Sequence, residues 1–378
     1  MSAPVPAPAP APAPTIPDIL TSFKAHVDKC KRVNYKGRVF YHPVVQIKEW
    51  MIADNRLGKL LKRVYQQQFT PTTAESISKS VIVFAILLCL GYGRWIDSFQ
   101  QYFDDNNLDA PLPEALIVLL KDNPEVLNRF DEERWAFNPA KIEDMCNHSK
   151  AYTGGRWILP FCRREYVGGG GTATVDGITV PEDLVPDTLK DALLAKDPNR
   201  GYEFQDKIFG LCYQFAIKSY RDDYHRVFKT ETRNFSGING LKGVVECFGW
   251  YTEETVDTGQ PQTTHNILLE YGDQDLDEYL ALKYPPVLTS EIIDFWENIF
   301  GVATTLNEVH TFSYKDPYGG TEDFNGWHGD VKPSNILFAQ GKFKLADFGF
   351  AKFELKLPGK KPETSLDGVT YTFGMVCS

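Results

Sequence analysis

The sequence predicts an α+β chain: a helical N-terminal region, then a strand-rich lobe, then a helix- and loop-rich lobe, with a site between the two lobes. Three observations carry this. Apolar residues recur at three-to-four spacing through much of residues 16–150. The pattern changes at Trp157-Ile158-Leu159-Pro160-Phe161, beyond which come short β-rich runs. One well-marked long helix, residues 290–310, then precedes two more short strands.

Residues 3–14 are almost pure Pro-Ala. Such a segment favours polyproline II and cannot bury a core, and no basic anchor flanks it, so residues 1–15 are expected as a disordered tail rather than an SH3-type ligand. Helical patterns follow at 44–53, 73–91, 95–103 and 112–120, none with catalytic spacing. Among them, the apolar run from Val81 to Leu90 covers ten residues against the roughly 20 that cross a bilayer, which predicts a buried helix. Expected strands are 164–167, 172–180, 213–219, 244–250 and 266–271, then Ile336-Leu337 and 343–346. Residues 181–210 read as an inserted, partly helical loop. The long helix has Thr289 or Ser290 as its cap, Glu291 and Asp294 in the first turn, and an apolar stripe of Ile292, Phe295, Trp296, Ile299, Leu306 and Val309. Residues 311–325, rich in Asp, Tyr and Gly, read as a solvated insertion.

The 378 residues suffice for two domains, and 43% apolar with 24% charged residues is the composition of a soluble globular protein. A net charge of −10 without a Lys/Arg stripe argues against a nucleic-acid partner, because polyanion binding draws on counterion release by a basic surface. The seven cysteines are scattered, with no CxxC pair and no histidine at metal-ligand spacing. They predict reduced thiols in a cytoplasmic or nuclear protein. Neither a signal peptide nor a membrane span is visible.

Phosphoryl transfer needs a held nucleotide, metal-neutralised charge and a positioned hydroxyl, and each need has a candidate here. Residues 167–175, Val-Gly-Gly-Gly-Gly-Thr-Ala-Thr-Val, fit G-x-G-x-x-[GA]-x-V, with Gly168, Gly170 and Ala173 in the small positions that let backbone amides close over phosphates. Phe215-Ala216-Ile217-Lys218 is a strand whose lysine can neutralise phosphates, and Glu231, on a following helix with Phe235 and Ile238, can pair with it. In His328-Gly329-Asp330-Val331-Lys332-Pro333-Ser334-Asn335, Asp330 can accept the proton of a substrate hydroxyl and Lys332 can reach the transferred group. Asn335 and Asp347, at opposite ends of paired strands, can form a magnesium site.

In this order, and with Leu268-Leu269-Glu270-Tyr271 and Asp347-Phe348-Gly349, residues 155–374 resemble the eukaryotic-type protein kinase domain, in its serine/threonine pattern. Within that family the chain is similar to fungal protein-kinase-domain proteins with a helical N-terminal extension. The resemblance implies a bilobal fold with the small lobe and hinge in residues 155–285 and a partial large lobe in 286–378, preceded by the helical region 16–150. It implies ATP and Mg2+ as cofactors and a protein substrate. Leu269 would be the gatekeeper, residues 270–272 with Glu270 and Gly272 the hinge, and Val175, Ala216 and Leu337 the sandwich around adenine. Phe235, Phe348 and His328 would stack as a spine.

Three departures qualify the resemblance. Gly329 stands where most protein kinases carry an arginine that receives an activation-loop phosphate, which predicts no need for that phosphorylation. His-Gly-Asp also opens the motif of aminoglycoside and choline phosphotransferases, the small-molecule alternative; Lys332, Asp347-Phe348-Gly349 and Gly368-Val369-Thr370-Tyr371-Thr372-Phe373-Gly374 count against it. After Gly374 the sequence reads Met375-Val376-Cys377-Ser378 and stops where Ala-Pro-Glu and further helices are expected. The expectation is therefore an incomplete large lobe, in a truncated kinase or in a catalytically dead, nucleotide-binding scaffold.

Overall fold

Uniformly apolar helices can only sit inside a bundle, and the chain builds its first unit around one. A computed structural model describes residues 18–33, 39–66, 72–146, 151–152, 156–196, 201–257, 260–282, 285–315 and 321–356. The Pro-Ala tail and the expected 368–374 segment lie outside these residues. The chain divides after Asn138 into two units.

In the first unit, α4 (Val81–Leu90) is buried over eight of its ten residues, as the sequence predicts. Gly91, at φ +83°, ends it, and the Tyr92 and Gly91 amides return to the Leu87 and Leu88 carbonyls. Around it stand α1 (Ile19–Cys30), α2 (Val44–Ile52), α3 (Arg56–Val64), α5 (Ile96–Phe99), α6 (Glu114–Leu119) and α7 (Pro124–Glu133). A short antiparallel pair, β1 (Arg32–Val33) with β2 (Val39–Tyr41), is an addition to the helical expectation. Residues 73–91 are not one helix: turns occupy 74–79, and the Ser80 hydroxyl donates to the Phe103 carbonyl at 3.1 Å just ahead of α4. The 95–103 pattern likewise forms only the single turn of α5 before turns resume. Arg134 is buried because every side of it is satisfied: Asp131 at 2.7 Å and the Leu108 and Ala110 carbonyls at 2.5 and 2.6 Å.

The second unit begins with α8 (Ile142–Met145) and a mixed sheet of β3 (Ala151–Tyr152), β4 (Arg163–Gly169), β5 (Ala173–Pro181), β6 (Glu203–Asp206), β7 (Gly210–Arg221), β8 (Cys247–Asp257) and β9 (Gln260–Glu270). The order is β3-β8-β9-β7-β5-β4, antiparallel except β3 with β8, and β6 adds to the start of β7. The insertion carries α9 (Asp187–Lys196), as expected, and also β6, whose Phe204 faces Cys212. α10 (His225–Ile238) buries Phe228, Glu231, Thr232, Asn234, Phe235 and Ile238, a helical stripe with a carboxylate at its centre.

After β9 come β10 (Gln274–Asp275), α11 (Leu276–Leu282), α12 (Thr289–His310), β11 (Ser313–Lys315), β12 (Thr321–Trp327), β13 (Ile336–Ala339), β14 (Lys342–Leu345) and β15 (Lys352–Leu355). Four expectations are corrected here. Leu288, not Thr289 or Ser290, precedes α12, and Glu291 accepts from the Leu288 and Val287 amides, both at 3.2 Å. The α12 stripe is buried only toward its end, at Val302, Thr305 and Val309, while Ile292, Trp296 and Phe300 are 39, 51 and 64% exposed. Residues 311–325 are not simply a solvated insertion: β11 pairs with β12, and β12 with β15, because Phe312, Phe324 and Phe353 cluster in the core. The expected strand from 244 begins at Cys247 instead, since the Val245 amide and the Gly243 carbonyl are engaged with Leu345 of β14 at 2.9 and 2.7 Å. The unit is a two-lobed α+β fold, and no helix among the described residues is long and apolar enough to cross a membrane.

Candidate active site

Strand register decides which side chains can meet. Along β7, Ala216, Lys218 and Tyr220 share one face, and their cross-strand partners Leu269 on β9 and Val175 on β5 stand opposite Ala216 and Lys218. Beneath Lys218 runs α10. Lys218 Nζ lies 2.9 Å from Glu231 Oε2 and 2.9 Å from Asp347 Oδ1, so one cation joins a strand, a helix and the segment after β14. The Tyr220 hydroxyl donates to the same Glu231 oxygen, Oε2. Burial alone would lower the Lys218 pKa, but Glu231 and Asp347 hold it above the ordinary lysine value, while burial raises that of Glu231.

The turn between β4 and β5 is closed by the Gly170 amide on the Ala173 carbonyl at 2.9 Å. A Cβ at Gly168 or Gly170 would meet no atom within 4 Å. The protein's own packing therefore does not require glycine there, and the open space suits close approach by a ligand. Gly272, after β9, faces Leu337 of β13, with its notional Cβ 3.0 Å from the Leu337 Cβ. Glu270 turns its buried carboxylate away from any ligand role: it accepts from Lys344 at 2.5 Å, from the Glu246 amide at 3.0 Å and from the Tyr202 hydroxyl at 3.3 Å. The expected hinge position therefore has its side chain engaged, with its backbone alone left for a ligand.

Between α12 and β13, Asp330 is gripped from two sides. Lys332 Nζ lies 2.8 Å from its Oδ2, and Asn335 Nδ2 donates to the same oxygen at 2.9 Å and to the Asp330 carbonyl at 2.8 Å. Lys332 foremost keeps the Asp330 carboxyl below its ordinary pKa, so it stands ionised. His328 Nε2 donates to the Ala346 carbonyl at 2.9 Å, which leaves Nδ1 to accept, and burial pushes its pKa down. Phe348 packs between His328 and Phe235, with ring centroids 4.6 and 5.7 Å away.

Asp347 adopts the left-handed conformation, φ +60°, with Oδ1 also accepting from the Gly349 amide at 3.3 Å. Two oxygen donors thus suit a hard cation: the Asp347 carboxylate, and the Asn335 carbonyl oxygen, since that amide has spent its nitrogen on Asp330. Magnesium sites commonly take one or two protein oxygens and draw the rest from phosphate and water, and among the described residues no three His, Cys, Asp or Glu side chains gather as a denser metal site. The residues fit magnesium. Gly329, at φ +81°, abuts Phe350, whose carbonyl oxygen would lie 2.5 Å from any Cβ added there, so the position that departs from the kinase pattern has no room for a side chain in this backbone.

The sequence reading missed Tyr220, Asn234 and Lys344. Tyr220 lies two residues beyond Lys218, and period-two alternation points it at the same partner. Asn234 donates from α10 to the Phe348 and Ala351 carbonyls, at 2.8 and 3.0 Å, and no local spacing signals it.

No protein-family model matches the chain. It is similar to the serine/threonine-protein kinase mph1 of Schizosaccharomyces pombe, 24% identical over 231 residues, covering 61% of this chain and 26% of that protein. It is also similar to a non-specific serine/threonine protein kinase of Drosophila melanogaster, 32% identical over 145 residues, 37% of this chain and 17% of the relative. An SNF-related serine/threonine-protein kinase of Homo sapiens is 31% identical over 124 residues, 32% of this chain and 13% of the relative. The chain thus spans about a quarter or less of each of these relatives.

Proposed function

We propose, from the premise that this chain carries a protein kinase domain, that it transfers the γ-phosphoryl group of ATP to a serine or threonine hydroxyl of a protein substrate. The observation that carries the reading is Lys218 Nζ held at 2.9 Å by both Glu231 and Asp347, with Asp330, Lys332 and Asn335 mutually bonded in the catalytic-loop motif. In this reading Val175, Ala216, Leu269 and Leu337 enclose the base, and the backbone of Glu270 and Gly272 meets its edge. Gly168 and Gly170 let the β4–β5 turn close over the phosphates, and Lys218, kept in place by Glu231, contacts them. Asp330, ionised and aimed by Lys332 and Asn335, takes the hydroxyl proton as the new O–P bond forms and the bond from the γ-phosphorus to the bridging oxygen breaks, releasing ADP. Lys332 balances charge on the transferred group. Asn335 and Asp347 would hold magnesium, which when bound supplies neutralising charge to the phosphates. The free thiols of the described cysteines fit an intracellular setting, cytoplasmic or nuclear.

The test is incubation of the purified chain with γ-labelled ATP and magnesium, in parallel with generic protein substrates and an aminoglycoside panel. Label on serine or threonine that is lost in Asp330→Asn is the expected result. Label on an aminoglycoside would assign the small-molecule chemistry instead. A MgATP-dependent thermal shift without transfer to either acceptor would make the domain a nucleotide-binding scaffold.

A further inference from the structure

We propose that Asn234 is a positioning residue that makes the Lys218 clamp and the Asp347 metal ligand form as a single unit; this rests on the reading of Asn335 and Asp347 as the magnesium site. Glu231 and Asn234 lie three positions apart on α10, on its buried side, at 0 and 2% exposure. Glu231 is tied to β7 through Lys218 and Tyr220. Asn234 faces the other way along the chain. Its Nδ2 donates one hydrogen to the Phe348 carbonyl at 2.8 Å and another to the Ala351 carbonyl at 3.0 Å, which spends both donors of the amide.

Phe348 and Ala351 bracket the turn directly after Asp347, and the Ala351 amide closes that turn on the Phe348 carbonyl at 3.1 Å. Asp347 itself holds a left-handed φ of +60°, which an aspartate tolerates with a local hydrogen bond, here from the Gly349 amide to its Oδ1. The contacts close a ring: Lys218 to Glu231, along less than one turn of α10 to Asn234, across to the Phe348 carbonyl, back one residue to Asp347, and from Asp347 Oδ1 to Lys218. A displacement of α10 that parts Glu231 from Lys218 also pulls on the turn that presents Asp347. Phosphate clamp and metal ligand are then assembled or lost together, through a side chain that touches neither nucleotide nor metal.

The experiment measures the ATP-dependent thermal shift across a magnesium titration, for wild type, Asn234→Leu and Asn234→Ser, alongside kcat and KM for ATP. Leucine removes both donors at similar volume; serine keeps one donor on a shorter arm. Because supporting partners of a metal ligand are worth about 10- to 100-fold in metal affinity or activity, the magnesium midpoint of Asn234→Leu is expected to rise at least about tenfold, with Asn234→Ser in between. An unchanged magnesium midpoint in a folded variant overturns the proposal, whatever happens to its melting temperature. Should neither variant fold, native-state hydrogen exchange on the wild type decides: common opening of α10 and residues 347–351 supports the coupling, and separate opening refutes it. Failure of the kinase reading looks different, because it appears as absent phosphoryl transfer in wild type, while the magnesium titration of ATP binding still reports on Asn234.

Discussion

Lys344 Nζ, on β14, sits 2.5 Å from Glu270 Oε1 at the end of β9, so β9 is bonded to the hairpin that leads to Asp347. Glu270 is fully enclosed, and the Tyr202 hydroxyl and Glu246 amide complete its coordination. Lys196 of the insertion reaches Glu246 from α9. The insertion is thereby stapled to the end of β9.

Lys344→Met should therefore leave a buried carboxylate without its cation. Removing one partner of a buried pair costs about 3–5 kcal/mol, so the urea midpoint is expected to fall sharply. Glu270→Gln, which keeps the hydrogen-bonding shape without the charge, should soften the loss when combined with Lys344→Met. Denaturation curves of the two single variants and the double variant check this; an additive double would contradict it.

Tyr220→Phe removes only the hydroxyl that donates to Glu231. A hydrogen bond to a charged group is worth about 1.5–3 kcal/mol, and a loss of that order in unfolding free energy is expected. Since Glu231 then holds Lys218 less firmly, kcat/KM for ATP should drop by about tenfold, equivalent to about 1.4 kcal/mol of transition-state stabilisation. Steady-state kinetics with intact folding would expose a wrong assignment if kcat/KM stayed level.

Gly329→Ala and Gly329→Arg both place a Cβ against the Phe350 carbonyl at a left-handed φ. The left-handed backbone alone costs an L-residue about 1–2 kcal/mol, so both variants should melt earlier than wild type. Restoring the usual kinase arginine is accordingly expected to lower activity rather than to create dependence on phosphorylation. Thr370→Ala and Thr372→Ala, measured in the same assay, should leave turnover unchanged.

His225, at the start of α10, stacks on His265 with ring centroids 4.5 Å apart, and His265 is bonded to Asp222 and Thr252. Burial, then His265 and Lys229, hold the His225 pKa below 6.5, while Asp222 opposes them. The unfolded chain therefore takes up this proton more readily than the folded one. The associated stability is present above the unfolded value and is lost as pH falls through 6.5 toward the lower folded value. His225→Phe keeps a ring in the stack but cannot titrate. Its melting temperature should decline less than that of wild type between about pH 7.5 and about pH 5.5, the window in which histidine changes charge. Equal declines would remove His225 from the pH response.

The two-lobed α+β arrangement was legible because strand and helix periods differ, and the chemical candidates were legible because phosphoryl transfer ties residue type to spacing. Lys218, Glu231 and Asp347 come together from three separate elements, as do Asp330, Lys332 and Asn335 within one loop. Asn234 could not be read in the same way. Its partners are backbone carbonyls 114 and 117 residues away, and a backbone carbonyl has no letter in the sequence. The β11–β12 pair escaped for a different reason: Phe312 and Phe324 point into the core from a segment whose other residues are polar, and composition averaged that signal away. The α12 stripe was found, yet periodicity reports only which residues share a face, not whether anything covers it.

The position of Lys218 carries a consequence for ligand choice. A single ammonium is shared by Glu231 and Asp347, one cation between two carboxyl groups. A bare polyphosphate would approach this surface against its field, whereas a nucleotide already complexed with a divalent ion brings the missing positive charge with it. In the proposed reading, a counter-charge at Asp347 would free Lys218 to turn to phosphate. In the proposed kinase reading the site would act as an ion exchanger, favouring the metal complex over the free nucleotide on charge balance before shape complementarity is consulted.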